Sequence, residues 1–171
     1  MRDIKAIKNL KTKVFRGKYL YLSDYKSKAK NYKIDLLIAP SWNSKFYDLK
    51  CHIKLKELLE KNNISFILRP HPMSIVKKEV TYQELEKNKI EYDLSPKAEL
   101  DKFKFLVSDW SGIFIEFAVI SNCPAHLINT PKKILNKNYQ DYGKKPIEIA
   151  TRSIFAKNFD VNDLNKLVQD I

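Results

Sequence analysis

A polar turn, Ser108-Asp109-Trp110-Ser111-Gly112, lies between two apolar runs of the sequence. The residues after it have helical spacing, with apolar side chains at positions 113, 114, 117 and 118. The first N–H groups of a helix have no partner inside the helix, so a helix that begins at such a turn can bind phosphate. Ser111 is also a natural N-cap, and capping without any ligand explains the same residues. The turn alone favours capping somewhat over phosphate binding.

Arg69 and His71 follow a second apolar run, residues 64–68, and each of them precedes a proline. Ligands of open parallel sheets bind outside the carboxyl ends of the strands, where these two side chains are expected. The arginine fork suits phosphate oxygens, and histidine can donate a proton near neutral pH. The alternative is that the prolines only end the strand, that His71 is a solvated loop residue, and that Arg69 orients the loop through backbone carbonyls.

Four short apolar runs alternate with helical patterns along the chain. The runs lie at 34–39, 64–68, 104–107 and 127–128, and the first of them is followed by the polar turn 40–44. This alternation predicts an α/β protein with a Rossmann-like, doubly wound parallel sheet and flanking helices. Further predicted elements are a helix around Cys51, a helix over 80–89, a short strand over 90–94, a helix over 98–102 and a closing helix over 160–171.

Four stretches of the sequence resemble, in the same order, the bacterial CDP-glycerol glycerophosphotransferases of the teichoic acid and capsule polymer type. They are LIAPSW (37–42), LRPHP (68–72), LVSDWSGIFIEFA (106–118) and residues 129–152. The resemblance implies the carboxyl-terminal, donor-binding half of a GT-B-type fold. It implies one Rossmann-like nucleotide-diphosphate-binding domain over residues 34–171, preceded by a basic, peripheral segment over 1–33. A separate amino-terminal domain would supply the acceptor contacts and a catalytic base.

The resemblance also implies an activity, the transfer of a glycerophosphate-type group from a CDP-linked donor to a hydroxyl of a cell-surface polymer or glycan. His71 is implied as the catalytic residue, acting as phosphate donor or general acid. The implied substrate-binding residues are Arg69, Ser108, Asp109, Ser111, Gly112, Glu116, Lys132 and Lys133.

Several of these residues have more specific expected roles. Glu116 would accept hydrogen bonds from the ribose hydroxyls, and Lys132 and Lys133 would close over the diphosphate, unless they are ordinary solvated lysines. Asp109 is expected to order the turn by accepting backbone N–H bonds rather than to act as a base. Trp110 is expected to be a core aromatic rather than a platform for the cytosine.

The formal net charge of +12 suggests anionic partners, but the type of basic residue argues against nucleic acid. Only four of the 32 basic residues are arginines, at positions 2, 16, 69 and 152, whereas direct base readout favours arginine. Zinc spacing, a basic helix and an aromatic RNA-binding signature are all missing from the sequence. An anionic membrane surface is the better candidate, since each basic residue near it contributes about 1 kcal/mol. A solvated basic face over residues 1–33 is the alternative.

The remaining sequence signals concern location and cofactors. Cys51 and Cys123 lie in no metal-binding or redox spacing, and the amino terminus lacks a signal peptide's apolar segment. A cytoplasmic protein, peripheral at the inner membrane face, is therefore expected, with no metal and no cofactor besides the CDP-linked donor as substrate. The alternative function is a catalytically silent module that binds a nucleotide or a membrane surface.

Overall fold

Five parallel strands form one sheet in the computed structural model, which describes residues 32, 34–42, 44–132 and 146–171. The strand order is β2-β1-β3-β4-β5, and every neighbouring pair is parallel. The strands are β1 (Ile34–Ile38), β2 (Phe66–Leu68), β3 (Phe103–Ser108), β4 (Ala125–Asn129) and β5 (Ala156–Asp160). All the carboxyl ends of these strands therefore lie along the same edge of the sheet, here called the carboxyl edge.

Seven α-helices within the described residues connect the strands or follow them. They are α1 (Cys51–Lys61), α2 (Pro72–Val76), α3 (Tyr82–Lys87), α4 (Ile113–Ser121), α5 (Ile147–Ala150), α6 (Arg152–Phe155) and α7 (Leu164–Gln169), and a 3₁₀ turn spans Leu100–Lys102. Parallel strands need such crossover connections, which place helices against the faces of the sheet.

Two hydrophobic clusters cover the two faces of the sheet. Alternate side chains of β1 enter different clusters, since Leu36 and Ile38 belong to one and Leu37 to the other. The first cluster includes buried residues of α1, α3 and α7, and the second includes Phe114 and Phe117 of α4. Helices on both faces of a parallel sheet define the doubly wound class, so the predicted α/β fold is confirmed.

The order of the strands reverses beside β1. The chain passes from β1 to β2 on one side and then returns to β3 on the other side, where Leu37 pairs with Leu106. In doubly wound sheets this reversal opens a crevice at the carboxyl edge, and ligands bind there. The loop after β1 and the turn after β3 are the two segments that line it.

Several predicted elements differ from the structure. Residues 90–94 form only an isolated bridge, between Tyr92 and Leu68, and the helix predicted over 98–102 is a 3₁₀ turn with one fully buried apolar residue, Leu100. The closing helix begins at Leu164 because β5 occupies residues up to Asp160. Strand β5 itself was not predicted, since it is an edge strand with one buried apolar side chain, Phe159, and no apolar alternation.

The predicted basic segment, residues 1–33, lies outside the described residues apart from Tyr32. Among the helices that the structure does describe, none combines the length and the apolar character needed to cross a membrane.

Candidate functional site

Asp109 connects the two sides of the crevice at the carboxyl edge. Its side chain is fully buried, and Oδ1 accepts hydrogen bonds from the backbone N–H of Ser41 at 2.7 Å and of Trp110 at 2.6 Å. Ser41 belongs to the loop after β1, and Trp110 belongs to the turn after β3. The prediction that Asp109 orders the turn through backbone N–H groups is therefore confirmed.

Ser108 makes a second bond between the same two strands. Its hydroxyl donates to the carbonyl oxygen of Ala39 at 2.7 Å, and the residue is fully buried. This bond holds the end of β3 against the residue that follows β1. The structure thus places the Ser108 side chain inside the protein, where it supports the turn rather than facing a substrate.

Ser111 and Gly112 form the start of α4, whose first residue is Ile113. The Ser111 hydroxyl accepts from the N–H of Ile113 at 3.4 Å, which is long for a hydrogen bond and makes Ser111 a weak cap. Gly112 has φ −66° and ψ −11°, and a Cβ added to it would meet nothing within 4 Å. Neither the conformation of the backbone nor its packing therefore requires a glycine at this position.

His71 is the N-cap of α2. Its Nδ1 accepts a hydrogen bond from the N–H of Met73 at 3.1 Å, so the proton of the neutral ring is on Nε2. Protonation of Nδ1 would break this cap, because a protonated nitrogen cannot accept. The geometry thus suits His71 as a neutral hydrogen-bond donor through Nε2, more than as a general acid that cycles through the charged imidazolium.

The guanidinium of Arg69 contacts the loop that follows Tyr92. Its terminal nitrogens donate to Oδ2 of Asp93 at 2.5 Å, to the hydroxyl of Ser95 at 3.1 Å and to the carbonyl of Ser95 at 2.6 Å. Its charge is paired with Asp93. Burial raises the pKa of that carboxyl, but the hydrogen bonds from Ser95 and then the charge and hydrogen bond of Arg69 outweigh burial and lower the pKa. This arrangement supports the alternative in which Arg69 orients a loop.

The remaining predicted residues are spread along the carboxyl edge. Glu116 is half-buried in the first turn of α4, and Lys132 is exposed, three residues after the end of β4. Lys133 lies outside the described residues. The contact of Glu116 with a ribose and the closure of the lysines over a diphosphate stay predictions.

Three polar atoms at the carboxyl edge were not singled out from the sequence as a group. Ser41 Oγ, Asp109 Oδ2 and Thr130 Oγ1 are buried and have no hydrogen-bond partner within the described part of the chain. They follow β1, β3 and β4, which are neighbours in the sheet. Buried polar groups normally have partners, so these atoms give the edge spare hydrogen-bonding capacity.

Arg152 was also missed as a site residue. It is buried at the start of α6, and its NH1 donates to the carbonyl oxygen of Asp109 at 2.6 Å. Forty-two residues separate the two along the chain, so no local pattern predicts the contact. The available signal was the residue type, because arginine is rare in this lysine-rich chain and offers a planar fork that lysine lacks.

His52 and His126 are buried, and each lies beside a carboxylate. Nε2 of His52 lies 3.2 Å from Oε1 of Glu84, and Nε2 of His126 lies 2.9 Å from Oδ2 of Asp170. Burial lowers the pKa of both histidines, and the neighbouring carboxylates oppose the shift in part. Among the described residues, no group of three or more His, Cys, Asp or Glu is arranged to hold a metal ion.

Comparisons with known proteins give one weak structural similarity. No protein-family model matches the sequence, and no curated protein matches it. The crystal structure of TarM is similar over 86% of this chain and 30% of the TarM chain, with 16% sequence identity and a TM-score of 0.48. The chain thus spans about 30% of the length of TarM. The fold assignment rests on the parallel sheet and the helices that cover both of its faces.

Proposed function

We propose that this chain binds a CDP-linked donor at the carboxyl edge and is the donor-binding half of a transferase resembling the CDP-glycerol glycerophosphotransferases. The observation that carries the proposal is the reversal of strand order between β1 and β3, lined by the Asp109–Gly112 turn. His71 lies after β2 at the same edge, two strands from that turn. Strands are about 4.8 Å apart, so the two strand ends are separated by about 10 Å.

The reaction would be attack of a polymer or glycan hydroxyl on the β-phosphorus of the donor, with CMP as the leaving group. Negative charge grows on the leaving phosphate, and the N–H groups of the turn and the first residues of α4 would stabilise it. His71 would donate from Nε2 to a phosphate oxygen, which agrees with its role as a neutral cap. The base that activates the hydroxyl and the acceptor contacts would come from a separate domain.

The affinity must come from several contacts together. A helix N-terminus contributes about 0.3–1 kcal/mol, or about 2 kcal/mol when partly buried, whereas micromolar binding needs about 8 kcal/mol. Arg69 is already paired with Asp93, so it adds less positive charge than its sequence position suggested. Ser41, Asp109 and Thr130 are buried like Ser108, so the proposed ligand contacts are the backbone N–H groups of the turn and Nε2 of His71.

Calorimetric titration with CDP-glycerol, CDP and UDP tests this proposal. Two variants of His71 separate its two roles. His71→Ala removes the cap and the imidazole, whereas His71→Asn keeps an oxygen that can accept from Met73 and removes only the imidazole donor. We expect CDP to bind more tightly than UDP, and both variants to weaken binding of CDP at least tenfold.

Each contrary result has a separate meaning. Wild-type affinity in His71→Asn assigns His71 to the cap alone and removes it from the donor site. A wild-type chain that binds none of the three nucleotides overturns the proposed function. Equal binding of CDP and UDP overturns the assignment of cytosine as the nucleobase that the site recognises.

A further inference from the structure

The guanidinium of Arg152 holds three separate segments of the carboxyl edge together. Besides the bond from NH1 to the Asp109 carbonyl at 2.6 Å, NH2 donates to Oδ1 of Asn129 at 2.8 Å and Nε donates to Oδ1 of Asn158 at 3.0 Å. These acceptors lie on the turn after β3, at the end of β4 and in β5. One side chain, 7% exposed, thus fixes the turn to two neighbouring strands.

The same guanidinium lies against the ring of Trp110. The guanidinium carbon is 4.2 Å from the ring centroid, and the indole N–H donates to the carbonyl oxygen of Thr130 at 2.9 Å. The guanidinium therefore holds the face of the Trp110 ring, and the hydrogen bond to Thr130 holds its edge. Because Ser111 follows Trp110 directly, these contacts restrict the backbone that leads into Gly112.

The partners of Arg152 indicate that its shape matters more than its charge. All three hydrogen-bond acceptors are neutral oxygens, and no described carboxylate forms an ion pair with it. Burial lowers its pKa, and the Asp109 carboxylate, which does not contact it directly, opposes the shift. Three bonds in one plane and a stacked aromatic ring require the arginine fork, and a lysine ammonium cannot reproduce them.

We infer that Arg152 is a positioning residue, which holds the Asp109–Trp110 backbone so that the N–H groups at Ser111 and Gly112 face a bound phosphate group. This inference rests on the proposed function, since it names the side chain that fixes the backbone of the turn in the same site. A misplaced turn loses hydrogen bonds to the ligand even though every group that touches the ligand is still present.

The test compares Arg152→Lys, which keeps the charge, with Arg152→Met, which keeps only the length. Lys166→Met is the matched control, because it removes one exposed positive charge from α7 without touching the turn. Calorimetry measures binding of CDP and of inorganic pyrophosphate. The same variants are also made in a Trp42→Phe background, which leaves Trp110 as the single tryptophan. Acrylamide quenching of its fluorescence then measures how accessible Trp110 is when no ligand is bound.

We expect both Arg152 variants to weaken binding of CDP and pyrophosphate at least tenfold and to make Trp110 more accessible to acrylamide, and Lys166→Met to change neither. If the Arg152 variants do not fold, Asn129→Ala removes one bond from an unchanged arginine and should weaken binding by a smaller factor.

Wild-type affinity in Arg152→Lys would show that charge alone matters and would overturn the inference. Unchanged binding in every variant, Asn129→Ala included, would also overturn it. A wild-type chain that binds neither CDP nor pyrophosphate refutes the proposed function instead, and the inference falls with it.

Discussion

Gly112→Ala distinguishes a turn that approaches a phosphate from a turn that only begins a helix. A Cβ at this position meets nothing within 4 Å, and φ −66° with ψ −11° is ordinary for alanine. Such a substitution stabilises a protein by about 0.4–1 kcal/mol, because the unfolded chain loses freedom. In a domain of this size each kcal/mol raises the Tm by about 2–4 °C, so we expect a rise of about 1–4 °C.

Ligand binding is expected to change in the opposite direction. A phosphate oxygen bound by the turn must come within about 2.9 Å of a backbone nitrogen, and the new methyl group would occupy the space beside that approach. We expect the affinity for CDP to fall at least tenfold, which corresponds to about 1.4 kcal/mol. The variant would thus be more stable and yet bind more weakly, a combination that general damage to the fold does not produce.

Differential scanning calorimetry and isothermal titration with CDP measure the two effects. Glu57→Ala is a suitable control, since Glu57 is exposed in the middle of α1 and alanine favours helix there as well. The control should leave CDP binding unchanged. A Gly112→Ala chain with the expected Tm and with wild-type affinity would refute the close approach of the ligand to this turn.

Two further predictions concern stability. Arg69→Ala removes three hydrogen bonds and one ion pair, although Asp93 keeps the N–H and the hydroxyl of Ser95 as donors. The free energy of unfolding in urea should therefore fall by about 1.5–3 kcal/mol, and an unchanged midpoint would contradict this. Burial lowers the pKa of His126 below its ordinary 6.5, so the unfolded chain binds more protons and stability falls as the pH drops through that value, levelling off below the folded pKa. In His126→Gln the free energy of unfolding should fall less steeply between about pH 7.5 and 5.5, and His52 should account for the fall that is left. Urea titrations at several pH values measure this, and the wild-type dependence on pH in the variant would disprove the prediction.

The central strands could be predicted from the sequence because they are buried on both faces. A strand in that environment is a short run of apolar residues, and β1, β3 and β4 each read in this way. Strand β5 has exposed side chains around Phe159, and its place in the sheet comes from hydrogen bonds to β4. Backbone pairing of this kind leaves no pattern in the side chains, so β5 escapes prediction, whereas β2, the other edge strand, is apolar throughout and was predicted.

The local contacts of the candidate site were also predictable. Asp109 accepts the N–H of the next residue, and such bonds are an intrinsic tendency of aspartate in turns. The strength of the capping at α4 was not predictable in the same way, because Ser111 is one residue too early for the cap position and its bond is long. A shift of one residue at the start of a helix is too small for sequence patterns to resolve.

The two arginines at the carboxyl edge show where reasoning along the chain fails. Arg69 lies two residues from His71, yet its guanidinium contacts Asp93, whereas Arg152 comes from a distant helix and contacts the turn itself. A long side chain reaches partners several ångströms from its own backbone, so sequence proximity to a functional residue says little about where its charge lies. Residue type is the better guide, because each of these arginines forms three hydrogen bonds that require a planar fork. In a chain that otherwise uses lysine, each of these two arginines therefore marks a position with fixed geometry, and the contacts proposed for a ligand at this edge are His71 and the backbone of the turn.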